Sequence, residues 1–148
     1  MSDMKEETFE DKIVRMARTL ATHAHAGQFR HDKVTPYIKH PESVARMASR
    51  YGWKFEVVAL LHDVLEDTKV TVKDLELQGY PEDIITAVII LTKTKNTSYE
   101  DYLHNVKWNA LARTVKILDM ISNLADTPSD KQLRKYAKGL EYLTDLSK

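Results

Sequence analysis

Between Leu60 and Thr68 the chain reads LLHDVLEDT. Leu60, Leu61, Val64 and Leu65 extend the apolar pattern of Lys54 to Ala59, but His62, Asp63, Glu66 and Asp67 interrupt it. Ionisable side chains are rarely buried unless they are paired or hold a metal. His62 with Glu66, and Asp63 with Asp67, are four residues apart, so each pair shares roughly one face of a helix. The adjacent His62 and Asp63 can both bend towards one ion sitting over their shared edge. Imidazole and carboxylate donors together suit divalent ions such as Mn²⁺, Fe²⁺ or Zn²⁺. A capped helix end accounts for this stretch equally well, with Glu66, Asp67 and Thr68 solvated and His62 a satisfied core histidine.

Two further segments add donors. TPYIKHP places His40 beside Pro41, where a loop becomes a helix and a side chain can point back into the domain. The alternative is that His40 merely caps that helix. VKILDMISNL sets Asp119 between Leu118 and Met120, with Asn123 one turn later on the same face. An aspartate in such company needs a compensating partner. The other solution is an ion pair with Lys116 on a surface face. His40, His62, Asp63 and Asp119 together would make a site of two histidines and two aspartates, with positions left for water.

The elements that must carry these residues are all helical. Thr8 with Asp11, Thr71 with Asp74, and Ser98 with Asp101 have N-terminal capping spacing, and Ser129 or Asp130 opens a last helix. Gly27, Gly52 and Gly79 mark stops, Pro41 and Pro81 mark starts, and Pro128 follows the long amphipathic stretch Asn109 to Ala125. Residues 28–40 lack a period and read as a loop. Ile84 to Leu91 has the composition of a buried strand but no strand to pair with. The reading is all-α, a single domain over residues 1–148 with about seven or eight helices. The motif-bearing core covers about 9–126, and a packing helix covers about 129–146.

Composition narrows the chemistry. With 148 residues, 43% hydrophobic and 30% charged, the chain has an ordinary globular balance. Twenty-two basic and 22 acidic residues cancel, which argues against a broad nucleic-acid-binding face. The absence of cysteine removes disulfides, zinc-thiolate sites and thiol catalysis. No apolar run is long enough to cross a bilayer, and the acidic start MSDMKEETFED is unlike a signal peptide, so the expected location is cytoplasmic.

GQFRHDKVTPYIKHP, ALLHDVLEDT, LTK at Leu91 to Lys93 and VKILDMISN fall in one order along the chain. In that order they resemble the hydrolase domain of RelA/SpoT homologues and the small alarmone hydrolases, within the HD superfamily of metal-dependent phosphohydrolases. The resemblance runs from about Phe9 to about Asp126. It implies a metal, usually Mn²⁺ with Fe²⁺, Zn²⁺ or Mg²⁺ as alternatives, held by His40, His62, Asp63 and Asp119. It implies Glu66 and Asp67 as the acidic pair that orders and activates water. It implies Arg30, Lys93 and Asn123 at the nucleotide. The implied reaction removes the 3′-pyrophosphate from guanosine-3′,5′-bis(diphosphate). The chain has Arg30-His31 where the family commonly has Arg-Lys, Met120 where a basic residue often follows the metal aspartate, and Ala125-Asp126 where one often follows the asparagine.

Two other readings stay open. One is an HD phosphohydrolase acting on another nucleotide, a nucleoside monophosphate or a nicotinamide dinucleotide phosphate. The other is a non-catalytic nucleotide-binding module, which would have no need of Glu66 and Asp67. Lys95 reads as part of a solvated loop. Lys116 and Arg113 reach either the site or water. His25 reads as helix-end packing, and Trp53, Trp108, Tyr99 and Tyr102 read as packing residues, with Tyr99 the best exception because its loop follows LTK.

Overall fold

A computed structural model describes residues 5–147. Helices begin where the sequence supplies an acceptor for the unpaired N–H groups of a first turn. Thr8 accepts from the Asp11 N–H ahead of α1 (Phe9–Ala24), and Ser98 accepts from the Asp101 N–H ahead of α7 (Tyr99–Lys107). Asn109 caps α8 (Ala110–Leu124) in the same way. Reciprocal capping boxes open α5 (Val72–Leu77), through Thr71 and Asp74, and α9 (Asp130–Thr144), through Ser129 and Gln132.

Between these lie α2 (Lys39–Ala48), a 3₁₀ turn (Ser49–Tyr51), α3 (Trp53–Leu61), α4 (Val64–Asp67) and α6 (Glu82–Leu91). The run Ile84 to Leu91 is therefore helical. Pro41 is the third residue of α2 rather than the first, still within the turn where a missing N–H costs nothing. Among the described residues no helix is long and apolar enough to cross a membrane.

α3 lies at the centre. Val57 through Leu61 are five consecutive residues with no solvent exposure, as expected of a helix that is apolar all round. α1, α2, α6 and α8 all pack on it. α8 also contacts α2, α6, α7 and α9. Gly52 starts α3 at φ 130°, a backbone conformation that L side chains rarely adopt, and lets the chain reverse sharply out of the 3₁₀ turn.

The expected single helix through LLHDVLEDT is two. α3 stops at Leu61, His62 and Asp63 form a turn, and α4 begins at Val64. Asp63 sits at φ −107° and ψ −1°, away from ideal helix values. This break brings the count among the described residues to nine α-helices.

The loop before α2 is ordered by its own backbone. Phe29 and Pro36 form an isolated antiparallel bridge, and Arg30 N–H donates to Thr35 O at 2.8 Å. Asp32 ties the tip, accepting from Val34 N–H, Thr35 N–H and Thr35 Oγ. These bonds, that from the Thr35 hydroxyl foremost, lower the Asp32 pKa to about 2. A depressed carboxyl pKa stabilises the folded loop above the unfolded value and is lost as pH falls through the folded one. The loop is expected to hold its bridge at neutral pH and to lose this support between about pH 4 and 2. Carboxyl NMR titration of Asp32 checks it. A midpoint near the ordinary aspartate value would remove the residue as the loop's tie.

Candidate active site

The four proposed ligands come from three separate places in the chain. His40 lies in the first turn of α2, His62 and Asp63 in the α3–α4 break, and Asp119 in the middle of α8. His40, His62 and Asp119 are all buried, and each offers one ligand atom within 4.8 Å of the others. His40 Nε2 is 2.7 Å from Asp119 Oδ1, and His62 Nε2 is 3.5 Å from the same oxygen. Two donors held about 2.1 Å from one ion at tetrahedral or octahedral angles lie about 3.0–3.4 Å apart, so this spacing suits a single divalent ion. Asp63 stands at the edge of the cluster, with Oδ2 3.0 Å from His62 Nε2.

The break at Asp63 makes this possible. On an ideal helix consecutive side chains diverge by about 100°. With α3 ended, His62 and Asp63 turn towards the same point.

His62 gives the clearest chemical signal. Its Nδ1 lies 2.6 Å from the Ala59 carbonyl, which can only accept, so Nδ1 carries a proton. In the neutral ring Nε2 is then a lone pair. That atom is buried, has no hydrogen-bond partner, and faces two carboxylates. A buried lone pair facing two carboxylate oxygens, at 3.0 and 3.5 Å, is an arrangement that a cation resolves. Without an ion the same carboxylates favour a proton at that nitrogen, so the position calls for positive charge either way. Burial opposes charge on His62, but Asp63 and Asp119 outweigh it and raise its pKa well above the histidine range. Burial likewise opposes charge on Asp119 and Asp63, but Lys116 and the histidines hold Asp119 far below the carboxylate range, and His62 holds Asp63 at about 2.

A surrounding shell fixes these donors. Tyr37 Oη donates to Asp63 Oδ2 at 2.5 Å, and its ring packs against His25 and His40. Asn123 Nδ2 donates to Asp119 Oδ1 at 3.3 Å. Lys116 Nζ donates to Asp119 Oδ2 at 3.1 Å, and Asp119 raises the Lys116 pKa despite the opposing effect of burial. The Lys116–Asp119 ion pair therefore exists, but in the site and not on a surface face. Tyr37 was not singled out from sequence; its place three residues before His40 in TPYIKHP was the available signal. Buried His25 packs at the end of α1 against Tyr37, as its sequence context indicated.

The remaining candidates divide between different openings. Glu66 and Lys93 line a cleft of about 470 Å³ together with Asp63, Tyr99, Lys116 and Lys135. Glu66 Oε1 accepts from Lys93 N–H at 2.8 Å, which ties the LTK segment to α4. Asp67 lines a separate cavity with His23, Gln28 and Asp74. Its pKa is raised by burial, then by Asp63 and Glu66.

Arg30 donates to Asn123 Oδ1 at 3.1 Å and to Asp126 Oδ2 at 3.0 Å, and lies over the Tyr37 ring. The Ala125-Asp126 departure thus places a carboxylate on the arginine. Met120 is fully buried, and a Cβ at Gly139 would lie 2.7 Å from its Cε. The side chain after Asp119 therefore belongs to the α8–α9 contact and not to the cleft. Trp108 is 56% exposed and is not a core residue.

An all-helical fold that brings histidines and aspartates around one ion-sized point, beside an acidic and lysine-lined cleft, fits the HD-type phosphohydrolase class that the sequence motifs resemble. Comparison with known proteins agrees. The chain is 31% identical over 141 residues to the guanosine-3′,5′-bis(diphosphate) 3′-pyrophosphohydrolase MESH1 of Xenopus tropicalis, covering 84% of this chain and 78% of that protein. It is 38% identical over 112 residues to the guanosine-3′,5′-bis(diphosphate) 3′-pyrophosphohydrolase of Haemophilus influenzae, covering 72% of this chain but 16% of that longer protein. The solved structure of a metazoan orthologue of SpoT shares its fold, with a TM-score of 0.75 at 22% identity over 96% of this chain and 89% of the other. No family profile matches the chain. The chain belongs to the HD-type hydrolase family of MESH1 and the RelA/SpoT homologues.

Proposed function

We propose that this chain is a Mn²⁺-dependent phosphohydrolase that removes the 3′-pyrophosphate of guanosine-3′,5′-bis(diphosphate). The observation that carries the reading is the buried, unpartnered His62 Nε2 facing Asp63 and Asp119 beside His40. The names of the relatives point to the same substrate.

In this reading His40, His62, Asp63 and Asp119 hold the metal. When bound, it supplies a Lewis acid that withdraws charge from a phosphoryl oxygen and eases deprotonation of water. Glu66 opens onto the same cleft as Asp63 and takes the proton of the attacking water. Water oxygen attacks the phosphorus attached to the 3′ oxygen, the bond between that phosphorus and O3′ breaks, O3′ takes up a proton returned from Glu66 or from solvent, and pyrophosphate and GDP leave. Asp67, with its raised pKa, supports this exchange from behind α4 as a proton reservoir. Lys93 and Lys116 offset the negative charge of the phosphates, and Asn123 and Arg30 approach the nucleotide from the α8 side.

A second reading has one observation behind it. Arg30 is already engaged by Asp126, which weakens its pull on a phosphate and favours a nucleotide with fewer charges. Measuring pyrophosphate and orthophosphate release with Mn²⁺ over a panel of nucleotides tests both. If guanosine-3′,5′-bis(diphosphate) yields no pyrophosphate while another nucleotide is turned over, the second reading replaces the first.

Tyr37 offers a sharper check on the metal shell. Tyr37→Phe keeps the ring against His25 and His40 and removes only the bond to Asp63. Loss of such an orienting partner is expected to weaken Mn²⁺ binding roughly 10–100-fold with the fold unchanged. Calorimetric titration with Mn²⁺ reads this directly. An unaltered affinity would mean that Asp63 needs no orientation or is not a ligand.

A further inference from the structure

We infer that Lys135, on α9, binds the terminal phosphate of the substrate's diphosphate group, the phosphate beyond the phosphorus under attack. The inference takes its location from the proposed phosphohydrolase site but is independent of which nucleoside is bound.

The cleft beside the metal cluster is lined by acidic and basic side chains together: Asp63 and Glu66, and Lys93, Lys116 and Lys135. The three lysines are not equivalent. Lys116 is bound to Asp119 at 3.1 Å, which anchors it at the cluster end of the cleft. Lys93 turns its ammonium onto the Thr94 carbonyl at 3.3 Å, and its backbone N–H is held by Glu66. Lys135 has no such tie. Its Nζ stands 4.5 Å from the centre of the Tyr99 ring and 5.9 Å from that of Tyr136. Among the described residues no carboxylate is paired with it.

The aromatic rings steer this long side chain over the cleft without neutralising it. Burial first, and then Lys116, Lys131 and Lys93, lower the Lys135 pKa, so the cation stands in a crowd of like charges. An anion entering the cleft relieves that repulsion.

Placement selects which anion. A phosphoryl group at the His40–His62–Asp119 cluster has Lys116 immediately beside it. The next phosphate along a diphosphate extends into the same cleft, which Lys135 also lines. A lone phosphate at the cluster does not need Lys135. The residue thus selects for a diphosphate leaving as pyrophosphate over a monoester leaving as orthophosphate. Nothing in LRKYAKGL distinguishes Lys135 from its neighbours Arg134 and Lys138; only the packing of α9 on α8 brings it to the cleft.

Calorimetry on the Mn²⁺-loaded full chain tests this with inorganic pyrophosphate and with orthophosphate as probes. Lys135→Ala is expected to weaken pyrophosphate binding roughly tenfold or more, the loss expected for one charge-assisted hydrogen bond, and to change orthophosphate binding by less than about twofold. Lys135→Arg is expected to retain most of the pyrophosphate affinity. Lys131→Ala removes the same charge one turn away without touching the cleft, and it is expected to leave both affinities near wild type.

Equal weakening of both anions by Lys135→Ala, an equal effect of Lys131→Ala, or unchanged pyrophosphate binding would each overturn the assignment, as would failure of the wild-type protein to bind pyrophosphate. If Lys135 governs pyrophosphate binding but guanosine-3′,5′-bis(diphosphate) is not hydrolysed, the substrate proposal falls and this one stands.

Discussion

Mn²⁺ is expected to raise the melting temperature of the wild-type protein by several degrees, and His62→Ala or Asp119→Asn is expected to abolish the rise together with activity. A ligand that binds only the folded state stabilises it by about 2.7 kcal/mol at a hundred times its dissociation constant. For a chain of this size that corresponds to a shift on the order of 5–10 °C. His62 supplies the lone pair aimed at the centre of the cluster, so no neighbour replaces it.

Asp119 is the shared point of the cluster, contacting His40, His62, Lys116 and Asn123. The conservative Asp119→Asn is the better test, because an amide oxygen can still accept from the buried Lys116 ammonium, whereas alanine leaves it with neither charge nor acceptor. Differential scanning fluorimetry with and without Mn²⁺ reads the result. A thermal shift that persists in both variants would place the ion elsewhere.

Glu66→Gln is expected to lower turnover roughly a hundredfold to ten-thousandfold while metal binding stays near wild type, as for loss of a general base. The substitution is clean. The glutamine oxygen can still accept from Lys93 N–H, so the LTK segment keeps its tie to α4. Asp67→Asn is expected to have the smaller effect, because Asp67 faces a different cavity from the one that holds Lys93 and Lys116. Single-turnover rates with Mn²⁺ at saturation separate the two. Parallel loss of metal and rate in Glu66→Gln would make Glu66 a ligand, and a larger effect at Asp67 would reverse the two roles.

The sequence by itself determined the local features. Helix starts follow from Thr8, Thr71, Ser98, Asn109 and Ser129, because a capping side chain acts on N–H groups two or three residues away. Residue type was enough to nominate His40, His62, Asp63 and Asp119, since ionisable groups in apolar runs require a reason.

What the sequence could not supply was direction and partnership. His40 and Asp119 are 79 residues apart and meet only because α2 and α8 pack side by side. LLHDVLEDT breaks at His62–Asp63, where convergence of both side chains on the cluster replaces continuation of the helix; periodicity alone reads the stretch as continuous. Lys116, equally compatible with water from its place on α8, turns inward because Asp119 is there to receive it. Arg30 is 96 residues from Asp126 and pairs with it across the fold, and Lys135 lines the cleft through the packing of α9. Each of these outcomes depends on charges and surfaces brought together from distant parts of the chain, and only the tertiary structure places those within reach.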